Sequence, residues 1–152
     1  MRIRRESLLL PAFVCVLAFA VPLRAQSAGS PDQEGVRRAV LDYVEGFYEG
    51  DTTKLVRSVA PAVHKYGYSK RNAEYVGSQM PYANFMSYAN GVKAGRNRTL
   101  PDALKEITLF DVQDQTASAK LTAWWGTDYL LLAKLNGRWM ITHVLWQTAP
   151  PK

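Results

Sequence analysis

Asp128 and His143 have side chains that could carry out acid–base chemistry. Asp128 opens a strongly apolar segment, directly after Trp124, Trp125 and a glycine. A carboxylate in apolar surroundings can serve as a general base, because burial disfavours its charged form. In the alternative, structural role, Asp128 lies at a strand end, where it caps a turn or accepts a bond from a backbone N–H.

His143 is the natural partner for such a base, since imidazole exchanges protons near neutral pH. We expect it on the face of the last strand that carries Trp139, Ile141 and Leu145, and therefore inside the domain. Tyr66 is a second candidate partner. The alternative for His143 is a histidine that is satisfied in the core or at its rim.

Aromatic side chains provide a candidate pocket for a flat or apolar ligand. We predict Tyr66, Tyr82 and Trp125 as pocket residues, with His64 at the pocket mouth. Ordinary core packing is the alternative, since aromatic residues also dominate protein cores. The spacing of His64, Asp128 and His143 resembles no local metal-binding motif, so we predict no metal. Glycine-rich phosphate loops, dinucleotide fingerprints and serine elbows are absent from the sequence, so we predict no cofactor.

The segments that must position these residues fall into a helical half and a sheet half. Residues 107–147 contain four apolar runs, and alanines alternate with polar residues from 117 to 123, as in a sheet with one buried face. Asn136-Gly137 predicts a type I′ hairpin turn. Upstream, Ser30-Pro31 predicts a helix start that continues to Gly50.

A short second helix, a strand over residues 62–69 with His64, Tyr66 and Tyr68 on one face, and a third helix after Pro81 complete the helical half. This order indicates an α+β fold. A curled sheet covered by helices forms a cone, and any functional site should lie in its interior.

The N-terminal segment predicts export. Three arginines precede an apolar run of 14 residues, which is short for a membrane span, and Ala25 offers a cleavage point. We expect a signal peptide over residues 1–25, a single domain over 26–152, and a periplasmic or secreted protein without a stable membrane span. An uncleaved anchor is the alternative.

Removal of the signal peptide would take with it the only cysteine, Cys15, as well as four of the 19 basic and one of the 13 acidic residues. The mature chain would then have no disulfide or thiolate, and a net charge of about +3. Because that charge is small and forms no basic stripe, we predict no nucleic-acid partner.

Three motifs resemble those of the NTF2-like superfamily, and in particular its lumazine-binding and SnoaL-like groups. They are YVEGFYEGD at residues 43–51, TDYLLL at 127–132 and NGRWMI at 136–141, where Met140 replaces the lysine of the family pattern. The resemblance spans residues 32–146. It implies a cone of N-terminal helices packed on a strongly curved, mainly antiparallel sheet. Superfamily members include isomerases, dehydratases, cyclases and proteins without known activity, so the fold does not specify the function.

Three functional hypotheses follow. In the first, the exported cone binds a small, partly apolar molecule. In the second, Asp128 is the base of an isomerase or dehydratase. In the third, the domain is an assembly module. The last strand is apolar on both faces, so we expect a homodimer through the outer sheet face, with Trp146 as its anchor.

Overall fold

The computed structural model describes residues 29–149 and shows three helices packed on one face of a curved, open, six-stranded sheet. The predicted α+β fold is therefore confirmed. The helices are α1 (Pro31–Glu49), α2 (Thr52–Ser58) and α3 (Tyr82–Lys93). The strands are β1 (Val59–Arg71), β2 (Glu74–Gln79), β3 (Lys105–Val112), β4 (Thr116–Ala123), β5 (Gly126–Leu135) and β6 (Arg138–Gln147).

Helix α1 begins and ends where its sequence predicts. Ser30 and Gln33 form a capping box, and Pro31 occupies the first turn. Gly50 ends the helix in the left-handed conformation, with φ of 70°. Asp51 then caps α2 by accepting backbone bonds from Thr53 and Lys54. These local signals fix the start of the fold independently of the sheet.

The sheet has the strand order β2-β1-β6-β5-β4-β3. All neighbouring strands are antiparallel except β1 and β6, which are parallel. Asn136 and Gly137 both have positive φ, as the predicted type I′ turn requires. Strand β4 ends at Ala123, and Trp124 and Trp125 form the turn into β5.

The inner face of the sheet packs against α1 and α3. The small and aliphatic residues of β4 that were predicted to face inward do so, from Ala117 to Ala123. Tyr43, Phe47 and Phe85 from the two helices fill most of the space above them, with Tyr43 and Phe85 fully buried. The cone is therefore a packed core over most of its depth.

A β-bulge in β6 reverses the side-chain alternation that the sequence predicted. Leu132 of β5 pairs with Ile141, whereas Leu131 pairs with His143, so Thr142 is an extra residue in β6. Ile141 is buried, and His143, two residues later, is exposed. The prediction that the two share a face is wrong, because a single inserted residue exchanges the two faces of a strand.

The same change of face places Trp146 on the inner side of the sheet. Its indole ring lies against Gly67 of β1, where a Cβ atom would fall 2.1 Å from the ring. Trp146 is only partly exposed and contacts the core. The prediction that Trp146 anchors a dimer on the outer face is therefore wrong.

The predicted signal peptide, residues 1–25, lies outside the described residues and stays a prediction. Among residues 29–149, no helix is both long enough and apolar enough to span a membrane.

Candidate functional site

A chain of polar side chains crosses the interior of the cone. Asp128 is fully buried, with 0 % exposure, and accepts hydrogen bonds from the Tyr43 hydroxyl at 2.7 Å and from the Trp125 indole N–H at 2.9 Å. Lys65 Nζ donates to the same Tyr43 hydroxyl at 2.6 Å. The ammonium group lies 3.8 Å from Asp128 Oδ2, so the lysine and the carboxylate form an ion pair with Tyr43 between them.

Three separate elements position these groups. Asp128 faces inward from β5, in alternation with Leu130 and Leu132. Tyr43 belongs to the buried stripe of α1. Lys65 comes from the inner face of β1, and its strand neighbours on that face are an apolar residue and a glycine. The polar chain therefore depends on α1 docking against the sheet.

Burial perturbs the titration of two of these groups. Burial lowers the pKa of Lys65, and the nearby charge of Asp128 opposes that shift. Burial, together with the charge and hydrogen bond of Asp128, raises the pKa of Tyr43 well above its ordinary value. Tyr43 therefore keeps its proton and donates a hydrogen bond to the carboxylate, while Lys65 gives up a proton more readily than a surface lysine does.

Aromatic rings enclose the amine of Lys65. Five ring centroids lie between 5.2 and 5.9 Å from Nζ, within the range of cation–π contacts. They belong to Tyr43, Phe47, Phe85, Trp125 and Trp146. The rings attract the ammonium form, but they also exclude the water that would otherwise solvate it.

An apolar pocket opens beside this lysine. Its volume is about 170 Å³, and it is open to solvent on one side. One charged residue, Lys65, contributes to its wall. The remaining lining residues are aromatic or methionine: Phe47, Met80, Tyr88, Trp124, Trp125 and Trp146. Neither Asp128 nor Tyr43 lines the pocket, so a bound molecule would touch Lys65 and reach the carboxylate only through it.

The structure places the predicted site residues in three different positions. Asp128 and Trp125 lie inside the cone and contact each other. Tyr82 is half-buried, with its ring 6.1 Å from that of Phe85, and does not line the pocket, so its prediction as a pocket residue is wrong. His64, Tyr66 and His143 lie on the exposed outer face. Their predicted position at the pocket is therefore wrong, because β1 turns its other face inward and β6 carries the bulge.

Sequence reasoning missed Lys65, the residue on which the polar chain and the pocket converge. The aromatic alternation of His64, Tyr66 and Tyr68 was assigned to the inner face, which sent Lys65 outward. The signal that favours the observed orientation is Gly67, two residues after Lys65 on the same face. A glycine within a strand marks a close approach, and here it receives the ring of Trp146.

The outer face of the sheet carries a contiguous apolar surface. Tyr129, Leu131 and Leu145 are each slightly more than half exposed. His64 and His143 lie side by side among them, with ring centroids 6.3 Å apart. Within residues 29–149 there is no group of three or more histidine, cysteine, aspartate or glutamate side chains arranged to hold a metal ion.

Comparison with known proteins gives a family and a fold. The model of a family described as "Putative lumazine-binding" matches residues 31–147. No curated protein matches the sequence at a significant level.

Solved structures show the same architecture at low sequence identity. An NTF2-like protein of unknown function from Shewanella baltica OS155 superimposes with a TM-score of 0.61 and 20% identity, over 82% of this chain and 100% of that chain. A "Putative Scytalone Dehydratase" from Novosphingobium aromaticivorans DSM 12444 gives 0.55 and 11%, over 78% and 84%. The association domain of C. elegans CaMKII gives 0.54 and 13%, over 76% and 95%. At these identities the likeness concerns the fold alone.

Proposed function

The chain belongs to the family described as "Putative lumazine-binding", and from that premise we propose that it binds a small, planar, largely apolar molecule in the pocket beside Lys65. The observation that carries the proposal is the wall of that pocket, in which six aromatic or methionine residues surround a single buried amine. Ligand sites typically combine such an apolar lining with a few placed polar groups.

The pocket predicts the chemistry of its ligand. Trp125, Phe47 and Tyr88 offer ring faces and edges to a flat molecule. Lys65 offers N–H donors but no acceptor while it is charged. A ring system that carries a carbonyl or another acceptor therefore fits better than a pure hydrocarbon. A volume of about 170 Å³ is of the size that holds one aromatic ring, with further atoms of the ligand extending through the open side.

Fluorescence and calorimetry can test this proposal directly, because Trp124, Trp125 and Trp146 all line the pocket. Lumazine, a bicyclic ring with carbonyl groups, should bind to the wild-type protein and quench its tryptophan emission. Lys65→Met should weaken binding by about tenfold, the effect of losing one charge-assisted hydrogen bond. Lys120→Met is the matched control, because Lys120 lies on β4 outside the pocket. Equal affinity in wild type and Lys65→Met would contradict the assigned role of Lys65, and the absence of binding by any planar carbonyl compound would contradict the proposal.

An acid–base enzyme is the second candidate, favoured by the hydrogen-bonded chain from Lys65 through Tyr43 to Asp128. Asp128 stabilises and orients Lys65 in this version, and Lys65 is the group that exchanges a proton with the ligand. His143 and Tyr66 take no part, since both lie on the opposite face of the sheet. The test is turnover of a planar ketone, measured as solvent deuterium exchange at the carbon next to its carbonyl, which Lys65→Met should abolish.

We also propose that the protein is exported and forms a homodimer through its outer sheet face. Export rests on the pattern of residues 1–25. Dimerisation rests on the exposed apolar surface that Tyr129, Leu131 and Leu145 share, since an apolar patch of this kind on a sheet favours burial against a second copy.

A further inference from the structure

We propose that Lys65 captures aromatic aldehydes and ketones covalently, as an imine formed in the pocket. This inference rests on the proposed function, because it requires that the pocket hold a small aromatic molecule. It goes further by giving the amine a bond-forming role and by naming carbonyl compounds as the ligand class.

The first support is the placement of the amine. The side chain of Lys65 is only 7% exposed, yet it forms part of the pocket wall. Its one hydrogen-bond partner in the described structure is the Tyr43 hydroxyl, which does not line the pocket. The partner that holds Nζ therefore lies on the side away from the pocket. A molecule that enters the pocket reaches Nζ without having to break an ion pair on the pocket side.

The second support is the surroundings of the amine. A lysine reacts with a carbonyl group only in its neutral form, and desolvation in a hydrophobic pocket is one of the ways in which proteins activate a lysine nucleophile. Five aromatic rings and the near-complete burial of the side chain, which is 7% exposed, supply that desolvation here. The lowered pKa of Lys65 agrees with this geometry.

The reaction needs no further reagent. The lone pair of the neutral Nζ forms a bond to the carbonyl carbon, and the carbonyl oxygen takes up the proton that the nitrogen then releases. The resulting carbinolamine loses its hydroxyl group and the remaining N–H proton as water, leaving a C=N bond between Lys65 and the ligand. One water molecule is released for each imine, and nothing is oxidised or reduced. The open side of the pocket lets that water leave, and a bound aldehyde gains from being held next to the amine.

Reductive trapping tests the proposal. The full chain is incubated at pH 7.5 with 2-naphthaldehyde and sodium cyanoborohydride, which converts an imine into a stable secondary amine. Digestion and mass spectrometry then locate the added mass, which equals that of the aldehyde less one oxygen atom. We expect labelling of Lys65 to exceed labelling of Lys120 by about tenfold or more, since a desolvated amine is neutral more often than a surface amine. The labelling rate of Lys65 should rise with pH and level off below the pH range in which an ordinary lysine loses its proton, because burial lowers the pKa of Lys65.

The matching alcohol, 2-naphthalenemethanol, separates failure of this inference from failure of the proposed function, since it fits the same pocket but forms no imine. If the alcohol binds while Lys65 is labelled no faster than Lys120, the covalent inference is overturned and the binding function stands. If neither compound binds, both are overturned. Lys120→Met should keep the selective adduct at Lys65, whereas Lys65→Met should lose it. Should that variant fail to fold, the position of the label in the wild-type chain still decides the outcome.

Discussion

The ion pair between Lys65 and Asp128 leads to a quantitative prediction about stability. Nζ and Oδ2 are 3.8 Å apart, and at the effective dielectric constant of about 20 that suits buried sites, two unit charges at this distance attract by about 4 kcal/mol. Asp128→Asn removes one charge and leaves the other buried without compensation. Breaking a buried pair in this way costs about 3–5 kcal/mol. We therefore expect Asp128→Asn to lower the free energy of unfolding by about that amount at pH 6.

A double-mutant cycle isolates the pairwise part of this loss. Lys65→Met leaves Asp128 with its bonds from Tyr43 and Trp125 but without a counter-charge. The variant with both changes should therefore lose less stability than the two single variants together, by roughly 2–3 kcal/mol of coupling. Urea denaturation followed by far-UV circular dichroism measures the free energy of unfolding of all four proteins, with Lys93→Met as the control at an exposed position.

The coupling energy between Lys65 and Asp128 should also depend on pH, and the lowered pKa of Lys65 determines the direction of that dependence. Lys65 must be protonated for the pair to exist, so the coupling declines as pH rises through the folded-state pKa, which burial holds below that of an ordinary lysine. Between the folded and unfolded pKa values the unfolded chain binds more protons. The stability of wild type relative to Lys65→Met should therefore increase with pH in that window. If the stability losses of the two single variants are additive at pH 6, or if the coupling energy does not change up to pH 10, the pairing of Lys65 with Asp128 is refuted.

Three further predictions concern other parts of the molecule. Trp139→Ala should cost about 3–5 kcal/mol, because the ring is 5% exposed and its N–H donates to Asp32 at 2.9 Å; an unchanged denaturant midpoint would contradict this. Leu145→Lys should dissociate the proposed dimer without unfolding the monomer, since Leu145 is 52% exposed in the single chain; a wild type that sediments as a monomer at high concentration would contradict it. N-terminal sequencing of exported protein should start at or near Gln26, and a chain in the membrane fraction that still begins at Met1 would count against cleavage.

Local sequence signals predicted the helices and hairpins well, because these depend on neighbours in the chain. The capping box at Ser30, the left-handed Gly50 and the Asn136-Gly137 turn each lie where the sequence placed them. The alternation of buried and exposed residues in β4 was predicted for the same reason, since the helices cover only one face of this strand.

Face assignments in β1 and β6 failed because both depend on how distant segments meet. A single residue, Thr142, resets the alternation of β6 only when that strand pairs with β5, and nothing in residues 138–147 alone reveals the bulge. In β1, the aromatic residues were expected to be buried by their type. The helices cover the opposite face instead, where Lys65 finds Tyr43 and Asp128 as partners. A lysine is buried only when tertiary partners compensate for the cost of removing its charge from water. Its neighbours in the sequence therefore do not reveal that it is buried.

The parallel pairing of β1 with β6 has a consequence for the order in which the chain can fold. His64 pairs with His143, about 80 positions later in the sequence, and every contact between these two strands has a similar separation. Strands β3 to β6 form a meander that can assemble from local hairpins, whereas β1 and β2 must wait for the last strand to emerge from the ribosome. Loop closure over such a distance slows folding. A nascent chain that lacks residues 138–147 has no strand to join the β1–β2 hairpin to β5, so the last strand is what unites the first hairpin and the meander in one sheet.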